Sequence, residues 1–309
     1  MSRKLRLMIY ILAAVAVAIC GYFVVTALTA PSVQSTWIAE LQYKDSEIQT
    51  LTFDGGGDRS CPQIPVVVGD TAYDMMFDTG CGVGIFFTDA MADHLEYTVL
   101  GTTEELNRDG SHRGWSKRVS VDTFAVCGEE YKDVETTLSD WSLYSSSPFN
   151  GSIGLEYFAG KVVTLDYANS LFAVSSRAVD DSKLPDEYIV LPIDHSTSKG
   201  QESLLFFEAE LDGEPVMVYL DTGKNYSYIY DADSAHSISG KPGGFCDVTL
   251  KVGGQDLTLK DVAQANDMAQ ADGLPYPTRI ELNSDQIWKN HMVVTFDLIS
   301  QKIILKIPR

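Results

Sequence analysis

Tyr73-Asp74-Met75-Met76-Phe77-Asp78-Thr79-Gly80 has a counterpart in Val216-Met217-Val218-Tyr219-Leu220-Asp221-Thr222-Gly223, 143 residues further along the chain. In each stretch a largely apolar run with strand character ends in an aspartate and a threonine, and breaks at a glycine. The correspondence extends outward. Val66-Val67-Val68-Gly69-Asp70 precedes the first stretch as Ala209-Glu210-Leu211-Asp212-Gly213 precedes the second, and Ile85-Phe86-Phe87 follows as Tyr228-Ile229-Tyr230 does. Each unit therefore reads as strand, tight Gly/Asp turn, strand and loop. Both also close alike, on Val162-Val163-Thr164-Leu165-Asp166 and Val293-Val294-Thr295-Phe296-Asp297, which lie 131 residues apart, so the second unit is the shorter. A repeat of this kind implies two like units, and short strands with turn signals throughout imply an all-β class.

The 309 residues, 45% of them hydrophobic, suffice for a sizeable folded core. The formal charge is −20, and beyond Arg6 the chain carries 20 Lys and Arg against 43 Asp and Glu. Such a surface repels phosphate backbones, so no nucleic-acid partner is expected, and it offers no basic patch for anionic lipid. Leu7 to Leu28 is uncharged over 22 residues, long enough as a helix to span a bilayer core of about 30 Å. Arg3, Lys4 and Arg6 precede it, which places the first six residues in the cytoplasm and the rest in an extracytoplasmic, periplasmic or extracellular space. A cleaved signal peptide ending at Val25-Thr26-Ala27 is the alternative; the length of the run favours a retained anchor.

Cys61, Cys81, Cys127 and Cys246 show no Cys-x-x-Cys spacing and no paired histidines, so neither a metal nor another cofactor is expected. Two disulfides and four free thiols both remain open. The chain divides into a tip and transmembrane anchor (1–30), a polar segment (31–60), a first unit (61–177), a connection (178–200) and a second unit (201–309). Residues 31–60 fit a stalk, a propeptide or a strand added to the sheet.

Two Asp-Thr-Gly triplets at equivalent points of a repeat resemble the pepsin and retropepsin superfamily of aspartic proteases. The closest likeness is to bacterial single-chain members in which two retropepsin-like lobes are fused. The resemblance covers roughly Pro62 to Ser176 and Leu204 to Ile307. It implies a bilobal acid-protease fold of two β-barrel lobes preceded by one transmembrane helix, working as a monomeric pseudo-dimer. Asp78 and Asp221 would be the catalytic pair, sharing a water and one proton, with a peptide or protein as substrate. Thr79 and Thr222 would interlock beneath them, and Gly80 and Gly223 would permit tight backbone geometry. Ser152-Ile153-Gly154 partly matches the family's segment behind the first catalytic loop. The polar segment Asn107 to Trp115 lies where the family has its flap, giving Gly110 and Trp115 as substrate-binding candidates; a Trp115 anchored in the core is the other reading.

The chain departs from the family at three points. The residue after each triplet is Cys81 or Lys224 rather than a small hydroxyl residue, and Leu282-Asn283-Ser284 stands where a glycine is expected. A lysine beside the pair favours ionisation of both carboxyls; the expectation is that its long side chain runs to solvent instead. The rival reading from another class is a pseudoprotease that binds extended peptides or a protein partner without cutting them.

Overall fold

The computed structural model describes residues 35–55, 57, 60–82, 84–106, 112–140, 150–198, 201–230, 244–265 and 271–308. The apolar run from Leu7 to Leu28 lies outside them, and among the described residues no helix is long and apolar enough to cross a membrane. The described chain is all-β, interrupted only by short helical turns.

In chain order, β1 (Ile48–Thr50) and β2 (Thr52–Phe53) lead into β3 (Pro62–Val68), β4 (Thr71–Phe77), β5 (Ile85–Thr88), β6 (Tyr97–Leu106), β7 (His112–Val126), β8 (Glu129–Ser139) and β9 (Gly151–Ile153). Strands β2 to β9 make one sheet in the order β2-β3-β4-β9-β5-β8-β7-β6. Next come β10 (Val162–Asp166), β11 (Leu171–Ser175) and β12 (Tyr188–Pro192). The second copy supplies β13 (Leu205–Leu211), β14 (Glu214–Asp221), β15 (Tyr228–Tyr230), β16 (Phe245–Val252), β17 (Gln255–Ala265) and β18 (Thr278–Asn283), which close into a barrel. The chain ends on β19 (Val293–Asp297) and β20 (Lys302–Lys306).

Strand periodicity explains which faces are buried. In β3, Pro62, Ile64, Val66 and Val68 point inward, and in β16 Val248, Leu250 and Val252 do the same, the period of two expected of one-sided sheets. β10 and β19 instead read as continuous apolar runs and are buried at every residue, because both faces of their sheet are covered.

Those two strands form the centre of a six-stranded sheet, β1-β11-β10-β19-β20-β12, to which both copies contribute. Thr164 pairs with Thr295 at its middle, and their hydroxyls meet at 2.7 Å. The flanking hairpins are closed by equivalent aspartates. Asp166 accepts from the backbone N–H of Asn169, and Asp297 from those of Ile299 and Ser300. Side chains of this kind pre-form the turn.

Two further segments join this sheet at its opposite edges. The described part of the 31–60 segment supplies β1, a strand added to the sheet beside β11. It is fastened by Trp37, 1% exposed, whose Nε1 donates to Asp166 at 2.6 Å, and by Tyr43, whose hydroxyl meets that of Thr164 at 2.9 Å. Lys306 reaches back to Glu40 at 2.5 Å. The 178–200 stretch is not only a connection either: Tyr188-Ile189-Val190-Leu191-Pro192 within it is β12, paired with β20.

Candidate active site

Asp78 follows the last residue of β4, and Asp221 is the last residue of β14. Each carboxylate is held by its own triplet: the N–H of Gly80 donates to Asp78 Oδ1 at 2.8 Å, and that of Gly223 to Asp221 Oδ1 at 2.9 Å. Both loops are therefore the same turn, built twice.

The threonines tie the turns to each other. Thr79 Oγ1 donates to the carbonyl of Leu220 (2.9 Å) and accepts from the N–H of Thr222 (3.0 Å). Thr222 Oγ1 donates to the carbonyl of Phe77 (2.7 Å) and accepts from the N–H of Thr79 (3.1 Å). Four backbone groups at the strand ends are each bonded to a threonine hydroxyl of the opposite copy, which makes the two loops one unit.

The glycines serve close approach rather than backbone conformation, since neither has a positive φ. A Cβ on Gly80 would lie 2.7 Å from the Asp221 carboxyl carbon, and one on Gly223 would lie 2.3 Å from that of Asp78. Each glycine thus faces the aspartate of the other triplet, which brings the two carboxyl groups together. Burial, then repulsion from Asp221, pushes the Asp78 carboxyl well above the usual carboxylate range.

A second strand runs behind each loop. β9 lies parallel to β4 with Met76 opposite Ser152, and β18 lies parallel to β14 with Tyr219 opposite Glu281. Gly154 is required in the first copy because a Cβ there would sit 2.9 Å from the Cys81 carbonyl. Asn283 serves in the second copy in ordinary extended backbone, φ −120°, so no glycine-like turn is needed. Its amide donates to the carbonyl of Tyr226 at 2.5 Å, and its N–H to Ser227 Oγ at 2.8 Å. Ser284 Oγ then donates to the carbonyl of Thr222 and meets the hydroxyl of Tyr167, linking the loop to the six-stranded sheet.

Lys224 corrects the sequence expectation. Its side chain is 41% exposed, but its Nζ turns inward, 3.3 Å from Asp221 Oδ2 and 2.5 Å from Glu281 Oε1. The reason is Glu281, wholly buried on β18 and needing a cation. Glu281 also accepts from the hydroxyl of Tyr230 and from the Asn283 amide. Tyr219 adds a hydroxyl donor to Asp221 Oδ2 at 3.3 Å, and Ser152 gives the matching donor to Asp78 Oδ2 at 3.2 Å. Sequence reasoning missed Glu281, Tyr219 and Tyr230. The available signal was Glu281 itself, two residues before the position matching Gly154, on a strand otherwise apolar on alternate residues.

No protein-family model matches this chain, and no curated protein sequence matches it.

Among the described residues, Cys61, Cys81, Cys127 and Cys246 form no disulfide with one another, which resolves the open choice against disulfides. Burial raises the Cys61 thiol far above its ordinary value, so it is no nucleophile. Of the segment where a flap is expected, His112 to Trp115 belong to β7, and Gly110 lies outside the described residues. Trp115 is 65% exposed on β7, its ring 5.8 Å from that of His112, so the core-anchor reading does not hold. In the second copy, β16 and β17 are joined by the two-residue turn Gly253-Gly254, with φ of 55° and 82°, as Cys127-Gly128, with φ of 51° and 81°, joins β7 to β8.

Proposed function

We propose that this protein is an aspartic endopeptidase with a bilobal acid-protease architecture, in which Asp78 and Asp221 hold a water between them and hydrolyse peptide bonds. One observation carries the reading: the two Asp-Thr-Gly turns are locked to each other through Thr79 and Thr222, with each glycine against the opposite carboxylate. A structural aspartate has no need of this arrangement. Two carboxyls brought together by the interlocked turns, one of them raised in proton affinity, supply a base and an acid at the same point. The ionised member takes a proton from the water as it attacks the scissile carbonyl, while the protonated member donates to the developing oxyanion. The water supplies the nucleophile, so no covalent intermediate forms.

The exposed Trp115 on the β6–β7 hairpin gives an apolar surface for a substrate side chain. The apolar run from Leu7 to Leu28, with its basic N-terminal flank, supports a single-pass anchor that leaves the two lobes outside the cytoplasm. The pseudoprotease reading draws on Lys224, whose ammonium 3.3 Å from Asp221 would, if uncompensated, leave both aspartates charged. Glu281 balances that charge, which favours the active enzyme.

The test is cleavage of an unbiased peptide library by the full chain beside Asp78→Asn and Asp221→Asn. Loss of all cleavage in either variant is expected. Peptide binding without cleavage by the wild type across acidic to neutral pH would favour the pseudoprotease.

A further inference from the structure

We infer that Lys224, held in place by Glu281, fixes the negative charge of the pair on Asp221 and leaves the proton on Asp78, so that Asp221 is the base and Asp78 the acid. The inference deepens the aspartic-peptidase reading and rests on it for the words base and acid; the location of the charge stands on geometry alone.

The two halves of the site are alike in backbone and unlike in charge. At equivalent register positions behind the loops, the first copy has Ser152 and the second has Glu281. Ser152 gives Asp78 a neutral hydroxyl at 3.2 Å. Glu281 supports Asp221 through a cation instead: Lys224 Nζ lies 2.5 Å from Glu281 and 3.3 Å from Asp221 Oδ2. An ammonium in contact with one of two carboxyls that share a proton draws the charge to that carboxyl.

Glu281 prevents this cation from stripping the pair of its last proton. It is wholly buried and accepts from Lys224, from the Tyr230 hydroxyl and from the Asn283 amide, the donor set of an ionised carboxylate. Lys224 and Glu281 therefore cancel, and what reaches Asp221 is an oriented ion pair rather than a whole positive charge. Among the described residues, the other titratable groups around this cluster include Asp78, Tyr167, Tyr219, Tyr226, Tyr228, Tyr230, Asp285 and Cys61. Burial and neighbouring anions favour the neutral form of Tyr228 and Cys61. Asp285 faces Ser227 and Lys289 rather than Lys224. Lys224 and Glu281 are positioning residues; neither is assigned contact with the scissile bond.

Opposite responses of two substitutions are the signature. Glu281→Gln leaves the ammonium uncompensated, so the proton on Asp78 leaves more easily and its titration moves to lower pH by about one unit or more. Lys224→Met removes the cation and moves the same titration to higher pH. Lys224→Arg retains the wild-type position, and the charge-neutral pair Lys224→Met with Glu281→Gln returns the midpoint toward wild type.

The experiment is a carbon-13 NMR titration of the aspartate carboxyls in the full chain, with Asp78 and Asp221 assigned from the Asp→Asn variants, run alongside the pH profile of peptide cleavage. Expected are a neutral Asp78 and an ionised Asp221 in the wild type, and opposite shifts in the two single variants. An ionised Asp78 with a neutral Asp221, or two shifts in the same direction, overturns the inference. Should a single variant fail to fold, the wild-type titration still decides where the charge lies. Correct charge placement with no cleavage sinks the peptidase reading alone, and cleavage with reversed placement sinks this inference alone.

Discussion

Thr222→Val tests whether the two triplets form one unit. The substitution keeps the shape of the side chain and deletes its hydroxyl, which is wholly buried. Two hydrogen bonds vanish, the donation to Phe77 at 2.7 Å and the acceptance from Thr79 N–H at 3.1 Å. Both orphaned backbone groups lie where water does not reach them, at about 1–3 kcal/mol each, so a loss of about 2–6 kcal/mol is expected. Urea denaturation measures it as a lower midpoint at an unchanged slope. Thr79→Val removes the mirror-image pair of bonds, to Leu220 and from Thr222 N–H. Because release of one side lets the loops move apart, the double variant should cost less than the sum, with a coupling of at least about 0.5 kcal/mol. A loss below about 0.5 kcal/mol for Thr222→Val, or strict additivity in the cycle, would refute the interlock.

Gly223→Ala places a methyl 2.3 Å from the Asp78 carboxyl carbon and should lower kcat by about a hundredfold or more with little change in KM, since misplaced reacting groups lose orientation rather than affinity. Stability should depend on pH through Asp78. Its folded-state carboxyl is raised, by burial first and by Asp221 second, so its contribution is fully present below the ordinary carboxylate pKa and is lost as pH rises through the raised value. Asp78→Asn should flatten that part of a plot of urea midpoint against pH. Trp37→Ala should cost about 3–5 kcal/mol, because Trp37 is buried beneath the six-stranded sheet and bonded to Asp166. Unchanged thermal stability in that variant would show that the segment around Trp37 is dispensable.

The all-β class and the meeting of the Asp-Thr-Gly turns were legible because each is written twice in the chain. A repeat fixes correspondences, and β10 and β19 carry the same apolar run ending in Asp166 and Asp297. The two edge strands of the six-stranded sheet were read less well. β1 is three residues long and follows a polar stretch, and β12 is five residues inside a charged connection. Their strand character comes from pairing with β11 and β20 rather than from local periodicity. The preference of Trp37 for burial was visible only as a large side chain in a polar context.

Lys224 shows the limit most clearly. Taken alone, a lysine beside a carboxylate pair gains most by extending into water, and the sequence offers nothing local against that course. What reverses it is Glu281, 57 residues later, which enters the barrel on β18 with no exposure. A buried carboxylate needs compensation, and Lys224 is the cation it receives. The direction of Lys224 is therefore set by a desolvation cost elsewhere in the fold, at a position whose repeat partner is the small neutral Ser152. Repeats reveal what two copies share. The difference between Ser152 and Glu281 is what gives two like aspartates unlike surroundings, and it becomes visible only once the strands behind the loops are set in register.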